Sequence, residues 1–218
     1  LVTMSLSDML TMSESERNLY AKTIGKRIEE LSKQLAIKFP VYFMFTKCDL
    51  VNGFTPFFNC LTAKQRKQVW GETFEITQDG KCAIDIADYD IHFDDLLAQL
   101  NSQLLLHLKQ QNDPNKKADI VSFPAQLEAM KGAIHKFLVD IFGENKYQEP
   151  ALLRGVYYTS GTQQGSPFDS LLGEIASDMG INVEDNVNYS GLGKSFFISD
   201  LLSKVVFPEQ HIAGVNQK

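Results

Sequence analysis

The apolar positions change period several times along the chain, and each change marks an element. Tyr20, Ile24, Ile28, Leu31 and Leu35 follow one another at steps of four, four, three and four, the spacing that gathers side chains on one face of a helix. Ser13 and Glu16 stand just before them in a capping-box pattern. A helix is therefore predicted from about 13 to 36, ended by Phe39-Pro40. On either side lies a short run rich in apolar residues. Leu1-Val2-Thr3-Met4-Ser5-Leu6 and Val41-Tyr42-Phe43-Met44-Phe45-Thr46 read as strands, and a strand, helix, strand unit predicts parallel pairing with a right-handed crossover. Opening so abruptly on a strand is the expectation for a piece excised from a longer polypeptide.

Further on, Val51-Asn52-Gly53 predicts a turn, and Thr62 caps a short helical stretch reaching Trp70. Residues 73 to 87 read as extended, with Gln78-Asp79-Gly80 as a hairpin turn between Thr73–Ile76 and Cys82–Ile86. Phe93, Leu96, Leu97, Leu100, Leu104 and Leu108 predict a long helix from about 91 to 111, closed by the polar loop 112–117. Leu127, Met130, Ile134, Leu138 and Ile141 predict another from 124 to 142. Leu152 to Thr159 returns to strand. Pro167 sits near the start of a predicted helix ending around Gly180, and Ser195 to Phe207 predicts a last short one before Pro208.

Strands near 1, 41 and 152 frame about 100 mainly helical residues, too many for one crossover. The fold predicted is α/β, with a parallel sheet of about three strands and a large, mainly helical insertion. Residues 1–60 and 151–218 would form the α/β part and 61–150 the insertion.

Composition narrows the function classes. At 218 residues, 44% hydrophobic and 22% charged, the chain can bury a sizeable core. A net charge of −6 with no basic stripe argues against a nucleic-acid surface. Cys48, Cys60 and Cys82 have neither C-x-x-C spacing nor a nearby His pair, so neither disulfides nor a metal site is indicated. His92, His107, His135 and His211 stand far apart, and surface or satisfied core positions account for them. Asp85, Asp88, Asp90, Asp94 and Asp95 gather at a helix start, where the macrodipole explains them. No catalytic residue is assigned.

One element does carry chemistry. Thr46-Lys47-Cys48-Asp49 follows an apolar strand and has the form [N/T]-K-x-D, in which a fixed carboxylate accepts the N1 and N2 hydrogens of guanine while the Lys stem lies over the ring. Adenine would leave that carboxylate unpaired. Placement at a strand end agrees with where open α/β sheets bind ligands. After the next strand, Thr159-Ser160-Gly161 offers small residues whose backbone N–H groups can approach a base, although such residues are common in any β-to-α loop. Thr46, Lys47, Asp49, Ser160 and Gly161 are the candidate base-reading residues, provided the two loops are neighbours. Gly191-Leu192-Gly193-Lys194-Ser195 looks like the end of a phosphate-cradling G-x-x-x-x-G-K-[ST], but Asn188 replaces the first Gly and no apolar strand precedes it.

Longer stretches carry a resemblance. Pro40 to Leu50 continuing to Gly53-Phe54 and Phe57-Phe58, then Gln68-Val69-Trp70-Gly71, Asp113-Pro114 and Phe123-Pro124 form its first part. Leu152 to Gly165 with Pro167 and Asp169, then Gly193 to Phe197 leading to Val206-Phe207-Pro208-Glu209, complete it. In this order the chain resembles the cytoplasmic portion of the IcmF/TssM family, inner-membrane proteins of bacterial type IV and type VI secretion machines. The resemblance implies a P-loop NTPase-like, G-domain-like fold whose phosphate-binding loop lies upstream, so GTP or ATP with Mg would be held only by the intact parent. Without that loop the chain is expected to hydrolyse neither. It further implies a scaffold module at the cytoplasmic face of the inner membrane, with a DotU/TssL-like membrane partner and baseplate components. The alternative is the base-binding half of a nucleotide switch. Self-association through the sheet edge is a third expectation.

Overall fold

The computed structural model describes residues 1–77, 85–143, 151–161, 194–212 and 214–215. Strand β1 (Val2–Ser5) leads into a short helix α1 (Leu6–Thr11), and α2 (Glu14–Leu35) follows. The capping box forms as expected: Ser13 accepts from the Glu16 N–H, and Glu16 accepts from the Ser13 N–H at 2.8 Å. Ala36, left-handed at φ 52°, ends the helix. A two-residue strand β2 (Ile37–Lys38) precedes the central strand β3 (Pro40–Thr46). After it come α3 (Phe54–Phe58), α4 (Ala63–Lys67), strand β4 (Gly71–Thr73), the long helices α5 (Tyr89–Gln110) and α6 (Pro114–Phe142), and strand β5 (Leu152–Tyr158). Strand β6 (Gly214–Val215) pairs antiparallel with β2.

The main sheet has four strands in the order β1-β3-β5-β4. β1, β3 and β5 are parallel, as the apolar runs predicted. The expectation of about three strands is corrected by β4, which leaves the mainly helical region and pairs antiparallel with β5. Its partner lies more than 80 residues away along the chain, so no local pattern reveals the pairing. Residues 78–84, where the hairpin turn was expected, lie outside the described residues.

Strand alternation divides the sheet into two buried faces. Val41, Phe43, Phe45, Val156 and Tyr158 point into the main core, which also takes Phe93 from α5 and Phe123, Leu127, Phe137 and Leu138 from α6. Tyr42, Met44 and Tyr157 point the other way, under Val69, Leu201, Val205 and Val206. That second cover is a single π-helical turn, Leu201–Val206, in place of the helix predicted from Ser195 to Phe207. Phe207 N–H donates to the Leu202 carbonyl at 2.9 Å.

Helix α6 begins ten residues earlier than expected, at Pro114 rather than Pro124. Asp113 caps it by accepting from the Asn115 N–H at 2.9 Å, and Pro114 occupies the first turn, where its missing N–H costs nothing. Pro124 instead sits buried inside the helix. Two short helices, α1 and α3, were not foreseen. Gly53 starts α3 at φ 85°, a left-handed value, and a Cβ there would lie 2.9 Å from the Phe123 Cβ, so this glycine lets α3 sit against α6. On α2 the buried positions are Ala21 and Ile28, while Tyr20, Leu31 and Leu35 of the predicted stripe are exposed. The helix is rotated so that Gly25 meets the α6 backbone, with a Cβ built there 3.4 Å from the Ile141 carbonyl oxygen.

Candidate functional site

Strands β3 and β5 end level with each other, Phe45 opposite Tyr158, so the loops that follow emerge side by side. They are then stitched together. Thr159 N–H donates to the Phe45 carbonyl at 2.8 Å and Cys48 N–H donates to the Thr159 carbonyl at 3.2 Å. Lys47 takes a left-handed conformation, φ 56°, and turns the chain into a 3-10 turn over Cys48–Leu50. That turn carries the Asp49 carboxylate to the Ser160 hydroxyl, which donates to Oδ1 at 2.5 Å.

Each predicted site residue can now be placed. Asp49 is half-buried, Ser160 is buried, and the two are in contact. Lys47 is exposed, with Nζ 3.8 Å from Asp8 Oδ2, a separation at which an exposed pair contributes little. Thr46 turns away: its hydroxyl donates to the Met4 carbonyl of β1 at 3.3 Å. Gly161 is exposed, and a Cβ there would meet only the Ile198 Cδ1 at an ordinary 3.8 Å, so packing does not demand glycine.

Hydrogen bonding leaves some of the polar groups at these loop tips open and occupies others. An ionised carboxylate has about four lone-pair sites, and one Ser160 hydroxyl orients Asp49 without filling them. The Thr159 and Ser160 N–H groups, however, are taken by the carbonyls of Phe45 and Phe196. Of the three loop residues, Gly161 is the one whose N–H has no acceptor among the described residues. The predicted phosphate-loop remnant ending at Ser195 falls largely in 162–193, outside the described residues. Lys194 donates to Asn59 Oδ1 at 2.9 Å.

Sequence reasoning missed Phe196 and Phe197. Phe196 forms a two-way antiparallel bridge with Ser160, with N–H to carbonyl distances of 2.8 and 3.0 Å. Phe197, at φ 64°, is held by its N–H to the Arg66 carbonyl at 2.6 Å and by its buried ring. A Phe in that conformation is a backbone outlier that only firm surroundings maintain.

A second polar cluster lies toward the opposite end of the same strands. Arg154 grips Glu209 with two bonds, Nε to Oε2 at 2.8 Å and Nη2 to Oε1 at 2.6 Å, and Tyr42 donates its hydroxyl to Oε2. Arg154 also donates to the Phe74 carbonyl beyond β4. Both charged side chains are less than a fifth exposed, at 16% and 19%. Burial raises the Glu209 carboxyl, but the hydrogen bonds from Arg154 and Tyr42 and the Arg154 charge outweigh it, leaving the pKa below the ordinary carboxylate value. A carboxylate whose folded pKa is depressed stabilises at neutral pH, and its contribution is lost as pH falls through the folded pKa. Glu209→Gln is therefore expected to cost roughly 1.5–3 kcal/mol at neutral pH. That gap from wild type should close on acidification below the ordinary carboxylate range, as checked by urea denaturation at a series of pH values.

Cys48 and Cys60 are the cysteines among the described residues, and neither is placed as an activated nucleophile. Burial pushes the Cys48 thiol far up. Cys60 Sγ lies 3.5 Å from His107 Nδ1, but that nitrogen is 2.5 Å from the Phe57 carbonyl and so carries its proton there. It cannot accept the thiol proton. Among the described residues no group of three or more His, Cys, Asp or Glu could hold a metal ion, and no helix is long and apolar enough to cross a membrane.

A four-stranded sheet with helices packed on it places the chain among mixed α/β domains, and its sequence places it further. The profile described as the IcmF-related N-terminal domain matches residues 1–218, and the chain belongs to that family. It is 42% identical over 218 residues to the type VI secretion system component TssM1 of Pseudomonas aeruginosa. That match covers all of this chain and 20% of the relative, so the chain spans about a fifth of the relative's length. No solved structure matches.

Proposed function

We propose that the chain is an assembly module of a type VI secretion component, docking other secretion proteins at the cytoplasmic face of the bacterial inner membrane. The observation that carries this reading is the 42% identity to TssM1 along the whole chain. The expected partners are a DotU/TssL-like membrane protein and baseplate components. In the bacterium carrying the full-length protein, deletion of residues 1–218 should abolish co-purification of the membrane partner and type VI secretion. Asp49→Ala should leave both within about twofold of wild type, because one lost hydrogen bond costs only about 1 kcal/mol of stability and the docking reading gives this carboxylate no partner contact. Unchanged co-purification after the deletion would remove the docking role.

A second reading is favoured by the Ser160-to-Asp49 hydrogen bond: the chain supplies the base-reading half of a nucleotide switch. GTP or ATP with Mg would then be held by a phosphate-binding loop elsewhere in the longer protein. Asp49 would accept from guanine, Gly161 would donate its N–H, and the Lys47 stem would cover the ring. Loss of secretion in Asp49→Ala with the complex still assembled would move the function to this reading.

A further inference from the structure

One segment, residues 194–209, meets β3 and β5 near both ends of those strands. It begins at the loop tips, where Phe196 N–H donates to the Ser160 carbonyl at 2.8 Å and Ser160 N–H donates back to the Phe196 carbonyl at 3.0 Å. It finishes at Glu209, gripped by Arg154 and Tyr42 near the start of β5 and β3. Between these points Leu201 is fully buried against Tyr42, Met44 and Tyr157. The left-handed Phe197 sits at the loop end, its ring against Trp70 at 5.3 Å and Phe58 at 5.0 Å.

We infer that this segment is the positioning element of the base-reading site: Phe196 fixes the Ser160 backbone, Ser160 aims the Asp49 carboxylate, and the hold depends on Glu209 at the far end. The inference rests on the second reading above, in which Asp49 reads a purine. Phe196 acts through its backbone on Ser160, and Glu209 lies toward the other end of the strands, so both are positioning residues. A carboxylate free to rotate loses discrimination between guanine and adenine before it loses affinity for purines in general, because discrimination needs two aligned acceptors. The coupling path is contiguous: a bridge, a buried apolar turn and a two-bond ion pair on one stretch of chain.

The test uses the full-length protein with Glu209→Gln, and with Tyr42→Phe as a milder variant that removes one donor from the grip. Amide hydrogen exchange compares the Ser160 N–H, bonded to Phe196, with the Thr159 N–H, bonded to Phe45. Ser160 should exchange at least about fivefold faster in both variants, the low end of ordinary coupling between sites, while Thr159 stays unchanged. Binding of GDP and ADP supplies the second readout. The guanine-over-adenine ratio should fall by at least about fivefold in Glu209→Gln with ADP affinity unaltered. Equal Ser160 exchange in wild type and both variants overturns the positioning role, as does acceleration of Ser160 and Thr159 together, which marks general loosening. A wild-type protein that does not distinguish GDP from ADP overturns the base-reading interpretation itself, whatever the exchange shows.

Discussion

Phe54→Ala is expected to lower the unfolding free energy by about 3–5 kcal/mol, the range for deleting a buried aromatic ring. Phe54 has no exposed surface, and its ring meets those of Phe58 at 4.8 Å, Phe196 at 5.5 Å, Trp70 at 5.8 Å, Phe123 at 5.8 Å and Phe197 at 6.5 Å. Most of these are edge-on, the arrangement in which aromatic pairs add to their simple burial. The neighbours come from α3, α6, the approach to β4 and the segment after 194, so no single element can slide in to fill the void. Urea denaturation followed by circular dichroism gives the number; a loss under about 1 kcal/mol would mean the hub collapses without penalty.

Gly71→Ala should be nearly as severe, at roughly 3 kcal/mol, the upper end for a residue forced into sparsely populated backbone space. Gly71 sits at φ 133°, and a Cβ there would overlap the Val156 carbonyl oxygen and lie 2.6 Å from the Tyr157 Cα. Both obstacles are backbone of β5, which cannot give way as a flexible side chain would. The expected lesion is detachment of β4. It would show as faster exchange at the Phe74 and Tyr158 amides, which donate to Arg154 and Trp70 carbonyls at 2.7 and 2.9 Å. The same denaturation experiment reads the energy, and a stability equal to wild type would refute the steric argument.

Local signals were legible in the sequence. The Ser13–Glu16 box and the Thr62 cap fix helix starts through side chains three residues away, and the apolar runs at 41–46 and 152–158 identify the two central strands. Meeting of Asp49 and Ser160 followed from parallel pairing of those strands. The start of α6 was misplaced because 112–117 reads as a polar loop and the apolar spacing shows only from Leu127, although Asp113-Pro114 holds a cap and first-turn pair. What could not be read was pairing at long range. β4 against β5, Phe196 against Ser160 and Glu209 against Arg154 join positions whose local sequence states only that a strand, a bend or a charge is present. Tyr20, Leu31 and Leu35 show the reverse limit: a 3.6-residue period marks a helix face but does not set how much of it the neighbours cover.

The chain has a single tryptophan, and its place has an optical consequence. Trp70 lies 5.3 Å from Phe197, 5.3 Å from Tyr158 and 5.1 Å from Phe58. Its indole therefore sits on the seam where the segment after residue 194 meets the rest of the molecule. Undocking that segment wets one face of the ring and shifts its emission to the red while the helices stay intact, which makes these 218 residues their own fluorescent gauge of closure without any attached dye.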